Sequence, residues 1–164
     1  MTSVPVRRSI VVETPIEDAF ATFTEEIDSW WPRSHHIGKA PMRRIVIEGR
    51  PGGRCYTEHE DGMACDFGRV LEWDPPHRLV FAWQMTHAFG REDDARKASE
   101  VCVCFLPDGP ARTRVELEHR FFDRHEGGPE PMRTNVDSSN GWTFVLSHFI
   151  SRAASRATPG ATSS

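Results

Sequence analysis

Apolar and polar residues alternate with a period of two through the middle of the chain, from residue 42 to residue 122. Turn signals rich in glycine, proline and aspartate divide this stretch into six segments. Such alternation is typical of antiparallel strands that have one face on a core. Together with a β-branched segment near the N-terminus, the pattern predicts seven strands, at residues 6–13, 43–49, 54–60, 63–73, 78–85, 99–106 and 113–121.

Two short helices are expected between the first and second strands. Thr14, Pro15 and Glu17 occupy the N-cap, first-position and capping-box sites of a helix start. Apolar residues then recur at helical spacing as far as residue 23. A second short helix should end at Pro32, because proline cannot continue a helix.

A long amphipathic helix is predicted near the C-terminus, beginning between Arg133 and Gly141. Its apolar stripe, at helical spacing, consists of Trp142, Val145, Leu146, Phe149, Ile150 and Ala153. One helix that covers one antiparallel sheet makes an α+β protein. We expect a single domain over residues 1–156 and a disordered tail over residues 157–164, which are mostly serine, threonine, alanine, glycine and proline.

Charge and composition exclude several classes of function. The 164 residues include 20 Lys and Arg against 24 Asp and Glu, a formal charge of −4 with no basic run, so nucleic-acid binding is not expected. No apolar run is long enough to cross a membrane or to serve as a signal peptide, and we expect a cytoplasmic protein that does not bind membranes. The four cysteines form no Cys-x-x-Cys pair and are expected to be reduced thiols.

Sequence signatures of common enzyme chemistries are missing. The chain has no phosphate-binding glycine loop, no zinc-protease histidine pair, no Gly-x-Ser-x-Gly elbow and no dinucleotide fingerprint. Cys102 and Cys104 should share one face of a strand, but no second cysteine or histidine pair stands at zinc-finger spacing. We therefore expect neither a metal nor another cofactor.

Local sequences add a family resemblance. They are Trp30-Trp31-Pro32, residues 47–54 (IEGRPGGR), residues 73–79 (WDPPHRL), residues 113–119 (TRVELEH) and Gly141-Trp142. Together with the element order, they resemble the START-like (SRPBCC) superfamily, in the branch related to the activator of the ninety-kilodalton heat-shock protein ATPase. The resemblance implies a helix-grip fold, with a seven-stranded curved antiparallel sheet wrapped around the long C-terminal helix. It implies less about function, because the family includes ligand binders, polyketide cyclase-like enzymes and co-chaperone domains.

A cavity is expected between sheet and helix, because one helix stripe cannot fill seven curved strands. Ten Phe and five Trp against one Tyr would give it large apolar walls. The predicted ligand-binding residues are Trp30, Trp31, His36, Phe81, Trp83, Leu117, His119, Phe121, Trp142 and Phe149. His119 shares its strand face with apolar residues, so it is either a buried core histidine or an acid–base group in the cavity, with Asp66 as a candidate partner.

Binding of a small hydrophobic or amphipathic molecule is the function that these features favour. The first alternative is an enzyme of the cyclase, dehydratase or hydrolase type that uses His119. The second is a co-chaperone, which is weaker because the eukaryotic activator has a second domain, so a chaperone partner is not expected. The sequence leaves open whether the protein is a monomer or a homodimer.

Overall fold

The computed structural model describes residues 4–37, 39–86 and 90–157. The strands are β1 (Val6–Val12), β2 (Met42–Ile47), β3 (Arg54–His59), β4 (Ala64–Asp74), β5 (Arg78–Trp83), β6 (Ser99–Pro107) and β7 (Thr113–Arg120). The helices are α1 (Ile16–Thr24), α2 (Ile27–Trp30), α3 (Glu130–Asp137) and α4 (Trp142–Ala157), with 3-10 turns at Ala95–Lys97 and Phe122–Arg124. This order confirms the α+β class. Helix α4 includes the first residue of the predicted tail, and residues 158–164 lie outside the described part.

The seven strands form one antiparallel sheet in the order β1-β7-β6-β5-β4-β3-β2. The register shifts in the β2–β3, β3–β4 and β4–β5 pairs, and shifts of this kind bend strands and increase their twist. The resulting half-barrel wraps the C-terminal helix, which confirms the helix-grip prediction. In the described part of the chain, no helix has the length and apolar character needed to cross a membrane.

Alternation along the strands sorts the side chains between two faces. On the concave face, Leu79, Val103 and Leu117 stand level on three neighbouring strands and are buried. The convex face carries Cys102 and Cys104, whose Sγ atoms are 3.9 Å apart. Both are free thiols, and burial raises the pKa of Cys102 to about 11. No group of three potential metal ligands occurs among the residues that the structure describes.

The start of α1 differs from the prediction. Pro15, not Thr14, is the N-cap residue, and no side chain caps the helix. The buried hydroxyl of Thr14 instead donates to the carbonyl of Ala153 in α4, at 3.1 Å. The carbonyl of Thr14 in turn accepts from the hydroxyl of Thr113, at 2.7 Å. Thr14 therefore ties the corner between β1 and α1 to both the terminal helix and β7.

The C-terminal region forms two helices that are separated at residues 138–141. Gly141 is required at the break, because a Cβ atom there would overlap the backbone carbonyl of Val136. Arg8, on the concave side of β1, holds the break by donating to Asp137 Oδ1 and to Thr143 Oγ1, both at 2.9 Å. The predicted apolar stripe of α4 is wrong at Ile150, which is 36% exposed.

The predicted position of Phe121 is also wrong. Strand β7 ends one residue earlier, and Phe121 adopts a left-handed conformation with φ of 65°. Its ring lies against the guanidinium groups of Arg120 and Arg124, at 5.2 and 4.4 Å. Because the chain turns there, Phe122 takes the buried place, with its ring 4.5 Å from that of His119.

Candidate functional site

A cavity of about 640 Å³ lies where α3, the beginning of α4, the end of β5 and the segment after α2 meet. Its buried lining is apolar and consists of Trp31, Trp83, Met85, Met132, Val136, Trp142 and Val145. Its more exposed lining is mostly polar and includes Ser34, His35, His36, Asn135, Ser138 and Asn140. The cavity is thus amphipathic, with an aromatic interior and a hydrogen-bonding rim.

Four of the ten predicted ligand-binding residues line this cavity: Trp31, His36, Trp83 and Trp142. Five others are buried outside its lining: Trp30, Phe81, Leu117, His119 and Phe149. Trp30, for example, donates from Nε1 to the carbonyl of Thr22 and packs against Phe149. Phe121 lies outside the lining as well.

Sequence reasoning missed the whole contribution of α3 and of the α3–α4 connection. Met132, Asn135, Val136 and Asn140 come from this region. The reason is that one amphipathic helix was expected where the structure has two. A continuous helix would have no break at residues 138–141 and so no opening into a cavity. The available signal was the run Ser138-Ser139-Asn140-Gly141, because serine, asparagine and glycine favour turns.

The rim is formed by two chain segments, residues 34–36 and residues 138–141, and a hydrogen bond joins them. His35 Nε2 lies 2.8 Å from the carbonyl oxygen of Asn140, and its ring stacks on Phe144 at 5.2 Å. A carbonyl can only accept, so His35 Nε2 carries a hydrogen, while Nδ1 lies 2.8 Å from the hydroxyl oxygen of Ser34. The carbonyl of His35 accepts from Trp31 Nε1 at 2.8 Å, which ties the rim to the aromatic interior.

His36 lies on the rim beside a second, buried histidine. Its Nδ1 is 3.2 Å from the carbonyl oxygen of Ile37, and its ring centre is 5.0 Å from that of His59. His59 in turn contacts the carbonyl of Ala40 through Nδ1 and the hydroxyl of Thr57 through Nε2. His36 is therefore the predicted histidine that stands on the cavity surface.

His119 lies behind the cavity wall, with both ring nitrogens in hydrogen bonds. Trp142 Nε1 donates to its Nδ1 at 3.1 Å, so its Nε2 carries the hydrogen and donates to Ser99 Oγ at 2.7 Å. The hydroxyl hydrogen of Ser99 is left for Nε2 of His125, also at 2.7 Å. This chain requires a neutral His119, since a protonated ring would place two donors against each other.

Burial holds His119 in that neutral form. It lowers the pKa of His119 well below the ordinary value of 6.5, and positive charge on His125 lowers it further. Asp66 is not its partner, because its carboxylate is bound by Arg54 at 2.6 Å, and this hydrogen bond lowers the pKa of Asp66. The suggested pairing of His119 with Asp66 is therefore wrong.

Comparison with known proteins agrees with this architecture. The sequence model of the family described as Activator of Hsp90 ATPase homolog 1-like protein matches residues 13–152. The chain belongs to this family. The START-like resemblance is thereby confirmed. Among curated proteins, none matches the sequence.

Two of the solved structures that resemble this chain in both sequence and fold are Txn09 and CalC. One is Txn09, an anthrahydroquinone-γ-pyrone synthase in complex with a bound molecule, at 36% identity over 92% of this chain and 97% of that chain, with a TM-score of 0.63. The other is CalC, a self-sacrificing resistance protein from Micromonospora echinospora, at 31% identity over 93% and 95%, with a TM-score of 0.65. Protein NE0264 from Nitrosomonas europaea shares the fold at 16% identity over 93% and 96%, with a TM-score of 0.65.

Proposed function

We propose that this protein binds a planar, hydrophobic small molecule with polar groups at one end, in the cavity between α3, α4 and the sheet. The observation that carries the proposal is the convergence of three indoles, Trp31, Trp83 and Trp142, on one cavity. Ring centres lie 5.5 Å apart for Trp83 and Trp142, and 6.2 Å apart for Trp31 and Trp142. A polar rim beside such walls suits a ligand with an aromatic body and an oxygen-bearing end.

Cavity size and the relatives support this ligand class. Small-molecule sites typically have volumes of about 300 to 1,000 Å³, and 640 Å³ lies within that range. Sites of this size typically bury about 70 to 90% of the surface of a drug-sized ligand. Txn09 is named an anthrahydroquino-γ-pyrone synthase, and more than a third of its aligned residues are shared with this chain.

Binding should be visible in the protein's own fluorescence. We expect anthraquinone-2-sulfonate, a planar three-ring probe, to quench tryptophan emission saturably, because three of the five tryptophans line the cavity. Val145→Phe would narrow the cavity and should weaken binding at least about tenfold, equivalent to about 1.4 kcal/mol. The matched control is Val11→Phe, on an exposed position of β1, which should leave the affinity unchanged. Equal affinities in the two variants, or no saturable quenching, would contradict the proposal.

Chemical conversion of the ligand is a second candidate, favoured by the 36% identity to a synthase. The side chain of the lining that could move a proton in the cavity is that of His36, since His35 and His119 each have both ring nitrogens engaged. If the protein cyclises or dehydrates a polyketide, His36→Ala should abolish the product detected by liquid chromatography and mass spectrometry, while anthraquinone-2-sulfonate still binds. Product formation unchanged in His36→Ala would exclude that role.

A further inference from the structure

Two cysteine thiols lie side by side on the convex face of the sheet, outside the lining of the cavity. Cys102 and Cys104 are two positions apart on β6, and their Sγ atoms are 3.9 Å apart. Cys102 is 6% exposed, and Cys104 is half-buried. On the neighbouring strands, Cys104 stands level with Arg78 and with the exposed Glu116. A small molecule therefore approaches the pair from the side of Cys104.

A disulfide would not suit this pair. Two residues of an extended strand advance by about 6.6 to 6.8 Å, which is the upper limit of the usual Cα separation across a disulfide. The sulfurs would also have to approach from 3.9 Å to about 2.05 Å, while β6 stays paired with β5 and β7 on its two sides. A direct S–S bond therefore requires distortion of β6.

A single atom between the two sulfurs fits the observed separation. With bonds of about 2.3 Å, as in zinc thiolates, an atom bonded to both sulfurs at 3.9 Å would have an S–atom–S angle of about 116°. With bonds of the same length, a linear ion would need sulfurs about 4.6 Å apart. No third potential metal ligand joins the pair among the residues that the structure describes. The pair therefore suits an element that forms a bent bridge and needs only two protein ligands.

We propose that Cys102 and Cys104 form a binding site for trivalent arsenicals. Trivalent arsenic is pyramidal and thiophilic, and it can bind two sulfurs while it keeps one hydroxyl or organic group. With arsenous acid, the sulfur of Cys104 displaces one hydroxyl group and the sulfur of Cys102 displaces a second. Two As–O bonds break, two As–S bonds form, and the two thiol protons leave in two water molecules. Arsenic stays trivalent, so the step needs no oxidant or reductant.

The charges around the pair favour this product. Burial, and after it the charge of Cys104, raise the pKa of Cys102 to about 11, so this thiol is protonated at neutral pH. The adduct replaces two neutral thiols by two neutral As–S bonds, and it therefore buries no charge. The positive charges of Arg78 and Arg120 act on Cys102 in the opposite direction, and they stabilise its thiolate during the second displacement.

Native mass spectrometry of the full chain with sodium arsenite tests this site. At neutral pH and without added thiol, the wild type should gain the mass of one arsenous acid minus two waters. Cys102→Ser and Cys104→Ser should each weaken arsenite binding at least about tenfold, because one of the two As–S bonds cannot form. Cys65→Ser removes a free thiol from another strand, and as the matched control it should keep the adduct. An adduct that persists in both variants of the pair, or a wild-type adduct that has lost only one water, would overturn the inference.

A measurement on the wild type keeps the test valid if the serine variants do not fold. In protein with ¹³C-labelled cysteine, the Cβ resonances of Cys102 and Cys104 should both shift when arsenite is added. Those of Cys55 and Cys65 should stay where they are. No shift at the pair, or equal shifts at all four cysteines, would contradict a bridge between Cys102 and Cys104.

Discussion

Phe149→Ala is expected to lower the free energy of unfolding by about 3 to 5 kcal/mol, the usual cost of deleting a large ring from a packed core. Phe149 lies on α4 and is 0% exposed. Its ring centre is 5.2 Å from that of Phe23 and 5.3 Å from that of Trp30, so its removal deletes one ring contact from each. Urea unfolding, followed by circular dichroism, measures the loss.

The neighbouring residue provides the control. Ile150→Ala removes a side chain of similar apolar character from the outward side of α4, and it should cost less than about 1 kcal/mol. A comparable loss in the two variants would mean that α4 does not present Phe149 to the sheet in the way described above.

Acid should destabilise the protein through His119. In the unfolded chain this histidine binds a proton below about pH 6.5, whereas the folded protein keeps it neutral to a lower pH. Since the unfolded state binds more protons in that window, the stabilising contribution is complete above pH 6.5 and is lost as the pH falls toward the folded-state pKa. The slope from this one group rises to about 1.4 kcal/mol per pH unit once the unfolded-state histidine is fully protonated, well below pH 6.5.

Other groups also titrate in this range, so the contribution of His119 is obtained by difference. His119→Gln keeps one acceptor and one donor for Trp142 and Ser99 but cannot be protonated, and it should reduce the mean slope between pH 6.5 and 5.5 by about 1 kcal/mol per unit. His148→Gln, on an exposed position of α4, should leave the slope close to that of the wild type. An unchanged slope in His119→Gln would show that the folded protein protonates this ring as readily as the unfolded chain.

The strands could be predicted closely because alternation is a local property of the sequence. Each observed strand begins and ends within two residues of its expected bounds. The errors arise where tertiary contacts override a local preference. Thr14 has the side chain of an N-cap residue but uses it on Ala153, which is 139 positions away. Phe121 continues the alternation of β7 in sequence, yet the chain has already turned.

The cavity was harder to foresee, because its position depends on where a helix is interrupted. Alternation correctly places His119 on the inward side of β7, but it cannot show that Trp142 covers the ring. Nor can composition distinguish the tryptophans of the cavity from Trp30, whose indole lies in the core. Whether a tryptophan lies in the core or in the cavity wall depends on the distances between helices and strands. The pattern of apolar and polar residues along the chain contains no information about those distances.

The joined rim has a consequence for how such proteins diverge. Residues 34–36 and 138–140 belong to connections between elements, so their sequence can change without disturbing any strand register. The scaffold, by contrast, persists at 16% identity in NE0264. A new ligand preference could therefore be acquired by exchanging two short segments that lie about a hundred positions apart in the gene, while selection for folding acts on other codons.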